Sequence, residues 1–163
     1  MATEYSKTVE MLIKVVNNRE RYLQLRAAEI GIPWSYIPVL LHIRQNSGCK
    51  QNEIAKTVGV SSAAVTQSTQ KMESMGLIDR ETDSENQRAN KLFITEKGRE
   101  VLKLGSEIFD DADRLMFGGM KPSEAAKLRE PLAEVNSRLA ECLRSMGSGE
   151  RGINMGISGI GVK

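Results

Sequence analysis

Val9, Val16, Leu23 and Ile30 recur every seven residues near the start of the chain, with Ile13 and Ala27 between them. That spacing lays an apolar seam along one face of a helix. Glu4 to Ile30 contains neither Pro nor Gly, so one long helix is expected there. Its seam needs a cover, which either the rest of the chain or a partner subunit can provide. Gly31-Ile32-Pro33 breaks the pattern. A second helix is predicted from Ser35 to Asn46, carrying Val39, Leu40, Leu41 and Ile43, and Ser47-Gly48 ends it.

Two closely spaced helices come next. Gln51 to Val58 puts Ile54, Ala55 and Val58 on one side. Gly59-Val60-Ser61 is the break, and Ser61 is a good N-cap because its hydroxyl can accept an orphan backbone N–H. The following helix runs from Ser62 to about Met75, with Val65 and Met72 on the buried side, and Gly76 stops it.

The period then shortens. Leu77–Thr82 and Asn90–Ile94 flank a polar stretch from Asp83 to Arg88, the signature of a small two-stranded hairpin. Thr95 is placed to cap the next helix, whose stripe reads Val101, Leu104, Ile108, Ala112 and Leu115 before Gly118-Gly119. The last helical region carries Leu128, Leu132, Val135, Leu139, Cys142 and Met146. Pro131 lies inside it, and a kink or split is expected because proline removes an intrahelical bond. Residues 147–163 hold six glycines, a density poorly suited to regular structure.

Composition adds exclusions. The charge is +2 from 23 basic and 21 acidic residues, too small to announce a nucleic-acid binder by itself. Residues 48–99 are also nearly balanced, so a DNA reading has to rest on motif and geometry. Cys49 and Cys142 make neither a metal-ligand spacing nor a disulfide framework. Charges run through the first twenty residues and no window approaches a membrane span, so a cytoplasmic protein with no membrane partner is expected. No phosphate loop, metal cluster or nucleophile with a nearby histidine is visible. The reading is therefore not an enzyme, and it calls for no cofactor and no metal.

A short helix, a Gly-containing turn and a second helix make a helix-turn-helix, which projects the start of its second helix into the major groove of double-stranded DNA. The outward positions are Ser62, Ala63, Thr66, Gln67, Gln70 and Lys71. Gln67 and Gln70 can each offer a donor and an acceptor to an adenine edge, and Ala63 can touch a thymine methyl. Lys71 suits a phosphate. The hairpin behind them is a candidate wing. Its tip carries Arg88 among Asn86, Gln87 and Asn90, and an arginine there can exploit the potential of a narrow minor groove.

These residues resemble a known family. Asn86-Gln87-Arg88, five residues, then Ile94-Thr95 and Glu96-Lys97-Gly98 match the spacing of the wing signature of the multiple-antibiotic-resistance regulator (MarR) family. The run Ser62-Ala63-Ala64-Val65-Thr66-Gln67, closing in Met72-Glu73-Ser74-Met75-Gly76-Leu77-Ile78, resembles that family's recognition helix and its exit. Asn86 stands where the family commonly has Asp, and Gln67 where Arg is frequent. The resemblance covers roughly Glu4 to Met146. It implies a mainly α fold with a small β-hairpin wing: a single winged-helix domain over 1–146, dimerisation helices at 4–30 and 122–146, a DNA-binding core at 48–99, and the glycine-rich tail outside. It further implies a homodimeric transcriptional regulator on a pseudo-palindromic site, released by a small aromatic or other small-molecule effector. The competing reading is a winged helix that binds protein rather than DNA, which the near-neutral charge and Gln67 keep open.

For an effector pocket, Trp34, Tyr36 and His42 stand where the second helix would meet the dimerisation helices. Packing is the plainer role for all three. Cys49 lies just ahead of the helix-turn-helix and reads as a small buried hydrophobe.

Overall fold

The computed structural model describes residues 4–82 and 90–146. The elements are α1 (Glu4–Glu29), α2 (Tyr36–Gln45), α3 (Gln51–Val58), α4 (Ser62–Ser74), β1 (Ile78–Thr82), β2 (Asn90–Ile94), α5 (Glu96–Phe117), α6 (Pro122–Lys127) and α7 (Arg129–Ser145). The predicted architecture is present: mostly helix, with a two-stranded antiparallel hairpin following a helix-turn-helix. The hairpin pairs Ile78 with Ile94 and Thr82 with Asn90. A third backbone segment joins it. The Leu92 N–H donates to the Cys49 carbonyl at 3.1 Å, and the Gly48 N–H donates to the Leu92 carbonyl at 2.9 Å. The chain entering α3 is thereby tied to the wing.

One core cluster runs through these elements, from Leu23 and Ala27 of α1 through Ile37, Leu40 and Ile43 of α2 to Ile54, Val65, Met72, Leu92 and Leu102. Gly105 lets α2 and α5 approach closely, since a Cβ there would lie 2.6 Å from Ile37 Cδ1. The buried face of α5 is Leu102, Gly105, Ser106, Ile108, Phe109 and Ala112. This corrects the stripe read from sequence, because Leu104 and Leu115 are exposed. The two glycine and serine positions carry the contact, and a count of large apolar residues passes over them.

The seam of α1 divides in two. Leu23 and Ala27 are fully buried against the rest of the chain, whereas Val9 and Val16 remain 51% and 60% exposed. At the other end the helix splits at Leu128, three residues ahead of Pro131. Proline then stands in the first turn of α7, where its missing N–H costs no helical bond. None of the stripe from Leu128 to Met146 is buried within the chain.

The tightest approach lies where α4 ends and α5 begins. Gly76 adopts a left-handed φ of 70° and turns the chain into β1. Gly98 lies in the first turn of α5, where a Cβ would be 2.1 Å from the Leu77 carbonyl oxygen. Gly98→Ala therefore overpacks against backbone that cannot rotate away, and should cost about 2–3 kcal/mol of unfolding free energy. Gly119→Ala, with nothing within 4 Å of its Cβ position, should stay within about 0.5 kcal/mol of the parent. Urea denaturation of the two variants side by side checks this, and equal midpoints would contradict it.

Candidate nucleic-acid interface

α4 begins as its sequence predicts. The Ala64 N–H donates to Ser61 Oγ at 3.2 Å, satisfying one of the N–H groups that a helix start leaves orphaned. Gly59, at φ 77°, closes α3 and sets the angle between the two helices. Val65, Thr69 and Met72 face inward at three- and four-residue steps. The opposite line is therefore Ala63, Gln67, Gln70 and Ser74, all exposed. Ser62 and Lys71 are exposed on its flanks.

Thr66 behaves differently from its expected neighbours. It is half-buried, and its hydroxyl is within hydrogen-bond distance of the Ser62 carbonyl (2.9 Å) and Gln51 Oε1 (3.3 Å). Gln51 Nε2 in turn donates to Thr69 Oγ1 at 2.7 Å, and the Thr69 hydroxyl donates to the Thr66 carbonyl at 3.1 Å. Gln51, Thr66 and Thr69 thus form a polar strut between α3 and α4. Thr69 is fully buried, so the strut runs through the core and fixes the roll of α4. The periodicity that exposed Gln67 and Gln70 gave no sign of it, because Gln51 reads as an ordinary first-turn residue.

The far end of α4 is clasped from α5. The Thr95 hydroxyl donates to the Gly76 carbonyl at 2.7 Å and accepts from the Gly98 N–H at 3.0 Å. Lys97 Nζ donates to the Met75 carbonyl at 2.8 Å, placing a cation at the negative end of the helix. Arg80 of β1 pairs with Glu73 of α4 at 2.9 Å, joining the wing to the same helix. These four contacts hold α4, the hairpin and α5 in fixed mutual orientation. Arg80 and Lys97 are consequently occupied within the chain. Asn86 and Arg88 lie outside the described residues. The strands leading to them, up to Thr82 and from Asn90, are paired in register.

Trp34, Tyr36 and His42 do not converge on one cavity. Trp34 packs edge-on against Phe109 of α5, with ring centroids 4.6 Å apart, and lines a surface cavity between α1 and the loop to α2. Tyr36 is part of the core. His42 is on α2, with Nε2 buried and unpartnered among the described residues. Burial lowers its pKa below the ordinary histidine value, against the opposing pull of the Glu53 carboxylate. The described residues contain no cluster of three or more His, Cys, Asp or Glu that could hold a metal ion. No helix among them is long and apolar enough to cross a membrane.

Residues 30–89, the stretch from the end of α1 to the wing, match the model of the MarR family. The uncharacterized HTH-type transcriptional regulator YybA of Bacillus subtilis is 26% identical over 100 residues, 61% of this chain and 67% of that protein. Streptococcus pneumoniae FabT in complex with DNA superposes with a TM-score of 0.73 at 20% identity, covering 85% of this chain and 99% of that one. A mutant E. coli MarR complexed with operator DNA gives 0.68 at 19% identity, covering 83% and 97%. These two likenesses establish the fold.

The two cysteines should separate cleanly in reactivity. Cys49 is buried beside the wing, and burial, reinforced by the Glu53 carboxylate, pushes its thiol up to about 11. A raised pKa keeps it protonated near neutral pH, and the thiol is a far poorer nucleophile than the thiolate. Cys142 is exposed. Alkylation of the native protein near neutral pH should label Cys142 alone, with Cys49 reacting only after denaturation. Mass spectrometry of the labelled peptides checks this, and early labelling of Cys49 would contradict it.

Proposed function

We propose that this chain, whose residues 30–89 match the model of the MarR family, is a sequence-specific double-stranded DNA-binding transcriptional regulator acting as a homodimer on a pseudo-palindromic site. The observation that carries the proposal is the outer face of α4. Ala63, Gln67 and Gln70 are exposed on a helix whose roll is set by the Gln51–Thr69 strut and whose far end is clasped by Lys97. A helix so held, with that line exposed among the described residues, suits insertion into a major groove about 12 Å wide.

Distinct roles follow for the groups on that face. Gln67 and Gln70 read base edges, Ala63 and Ser62 allow close approach, and Lys71 contacts a phosphate. Thr66 contributes through the strut, by aligning α4. Arg88, carried on the wing with Asn86, reaches the neighbouring minor groove. Support for the dimer comes from the apolar residues left open on α1 and α7. Val9, Ile13 and Val16 of α1 and Leu132, Val135 and Leu139 of α7 are all exposed. A second copy covering them would space the two recognition helices for a two-fold site. A small-molecule effector acting between the terminal helices and the DNA-binding core completes the proposal.

Substitutions sort the roles. Gln67→Ala should relax preference at one base pair of each half-site by about 1–3 kcal/mol while leaving binding to other sequences nearly unchanged. Arg88→Ala should weaken binding broadly across sequences. Competition titrations with the selected site and its single-base variants check both. Unchanged DNA binding in both variants would overturn the assigned contacts.

A further inference from the structure

The cavity beside Trp34 has a volume of about 560 Å³, within the range of small-molecule sites. Glu20, Gln24 and Ala28, one turn apart along one face of α1, form one wall. The loop from Gly31 to Ser35, with Trp34 in it, forms the other. Small residues leave it open: nothing lies within 4 Å of the Cβ position of Gly31. Among the described residues lining it, Glu20 carries the one formal charge, and there is no Lys, Arg or His. Two arginines of α1 are engaged with α5. Arg19 pairs with Asp113 of α5 at 3.3 Å, and Arg26 is 3.9 Å from Asp111 of the same helix. Gln24 Nε2 donates to Glu20 Oε1 at 3.0 Å, which orients the carboxylate and leaves its other oxygen for a ligand.

We infer that this cavity binds small organic cations, amines or quaternary ammonium ions carrying an apolar or aromatic group, and discriminates against organic acids. An acid entering it would bring its charge towards Glu20 with no cation in the lining to receive it, and like charges in close proximity are costly. A cation meets one carboxylate at the rim and an apolar wall formed by Ile32, Pro33 and Trp34. The site also has a route to α5. Trp34 packs on Phe109, and Arg19 lies over the same ring, 5.0 Å from its centroid. α5 runs from there to the Lys97 and Thr95 clasp on α4. That the site regulates rests on the DNA-binding reading above; that it binds a cation does not.

Trp34 is the only tryptophan of the chain, so fluorescence excited clear of tyrosine reports on this cavity alone. The full chain is titrated with benzyltrimethylammonium and, separately, with benzoate, and its retardation of the selected DNA site is measured in the same preparation. The ammonium ion should give a saturable change and benzoate none. Glu20→Gln, a change on a partly exposed helix face, should weaken the ammonium ion about fivefold, the scale of one partly exposed ion pair. Benzoate binding as tightly as the ammonium ion, no saturable change with either probe, or an unchanged affinity in Glu20→Gln would each overturn the inference. Retained DNA retardation alongside such a result confines the failure to the cavity. Ammonium binding with no retardation of any DNA leaves the cavity standing and removes the regulator reading.

Discussion

Everything at the candidate interface depends on how closely the start of α5 lies against the end of α4. A side chain at position 98 would run into the Leu77 carbonyl. With glycine there, the first turn of α5 drops onto the exit of α4, bringing the Thr95 hydroxyl to Gly76 and the Lys97 ammonium to Met75. The two polar contacts satisfy carbonyls that the end of α4 would otherwise leave unpaired. A 22-residue helix and the end of α4 thus meet through a close backbone approach and two hydrogen bonds to backbone carbonyls, which leave little freedom to slide. Movement of α5 has to carry α4 and the wing with it.

The opposite end of the molecule is built to a different rule. α1 and α5 are joined halfway along by Leu23, Ala27, Phe109 and a rim of ion pairs, and beyond that Val9, Ile13 and Val16 of α1 and Leu115, Met116 and Phe117 of α5 stay exposed. Large apolar residues left exposed in such number are costly in water and point to a surface for association. The chain therefore has one face where polar side chains are displayed on a rigid helix and another where apolar side chains await cover. The first suits a wet, polar ligand such as DNA; the second suits another protein surface.

Much of this was legible in the amino-acid sequence, because period and punctuation carry local structure. Gly59, Ser61 and Gly76 mark the helix-turn-helix to within a residue, and Thr95 caps α5 as its chemistry predicts. The spacing from Asn86 to Gly98 pointed to the family. The parts that escaped are tertiary. The buried face of α5 runs through Gly105 and Ser106, and the smallness of Gly105 matters only because Ile37 of α2 lies against it. The strut from Gln51 to Thr69 crosses 18 positions of sequence and leaves no local mark. Thr66 looked like a reader because an exposed and a half-buried threonine at that helical angle are written identically. Ser74 completes the outward line at the same three- and four-residue steps as Ala63, Gln67 and Gln70, so that periodicity alone could have found it. Trp34, Tyr36 and His42 are close in sequence, yet the chain sends them to a cavity wall, the core and a half-buried position on α2.

Selection of bound sequences from random double-stranded DNA puts the central claim to its most direct test, because half-site identity and spacing emerge from one experiment. Two copies of α4 held by a symmetric pair should enrich an inverted repeat whose half-site centres lie about one helical turn, roughly 10 base pairs, or a multiple of it apart. Enrichment of a single unrepeated motif, or of no sequence at all, would contradict the account.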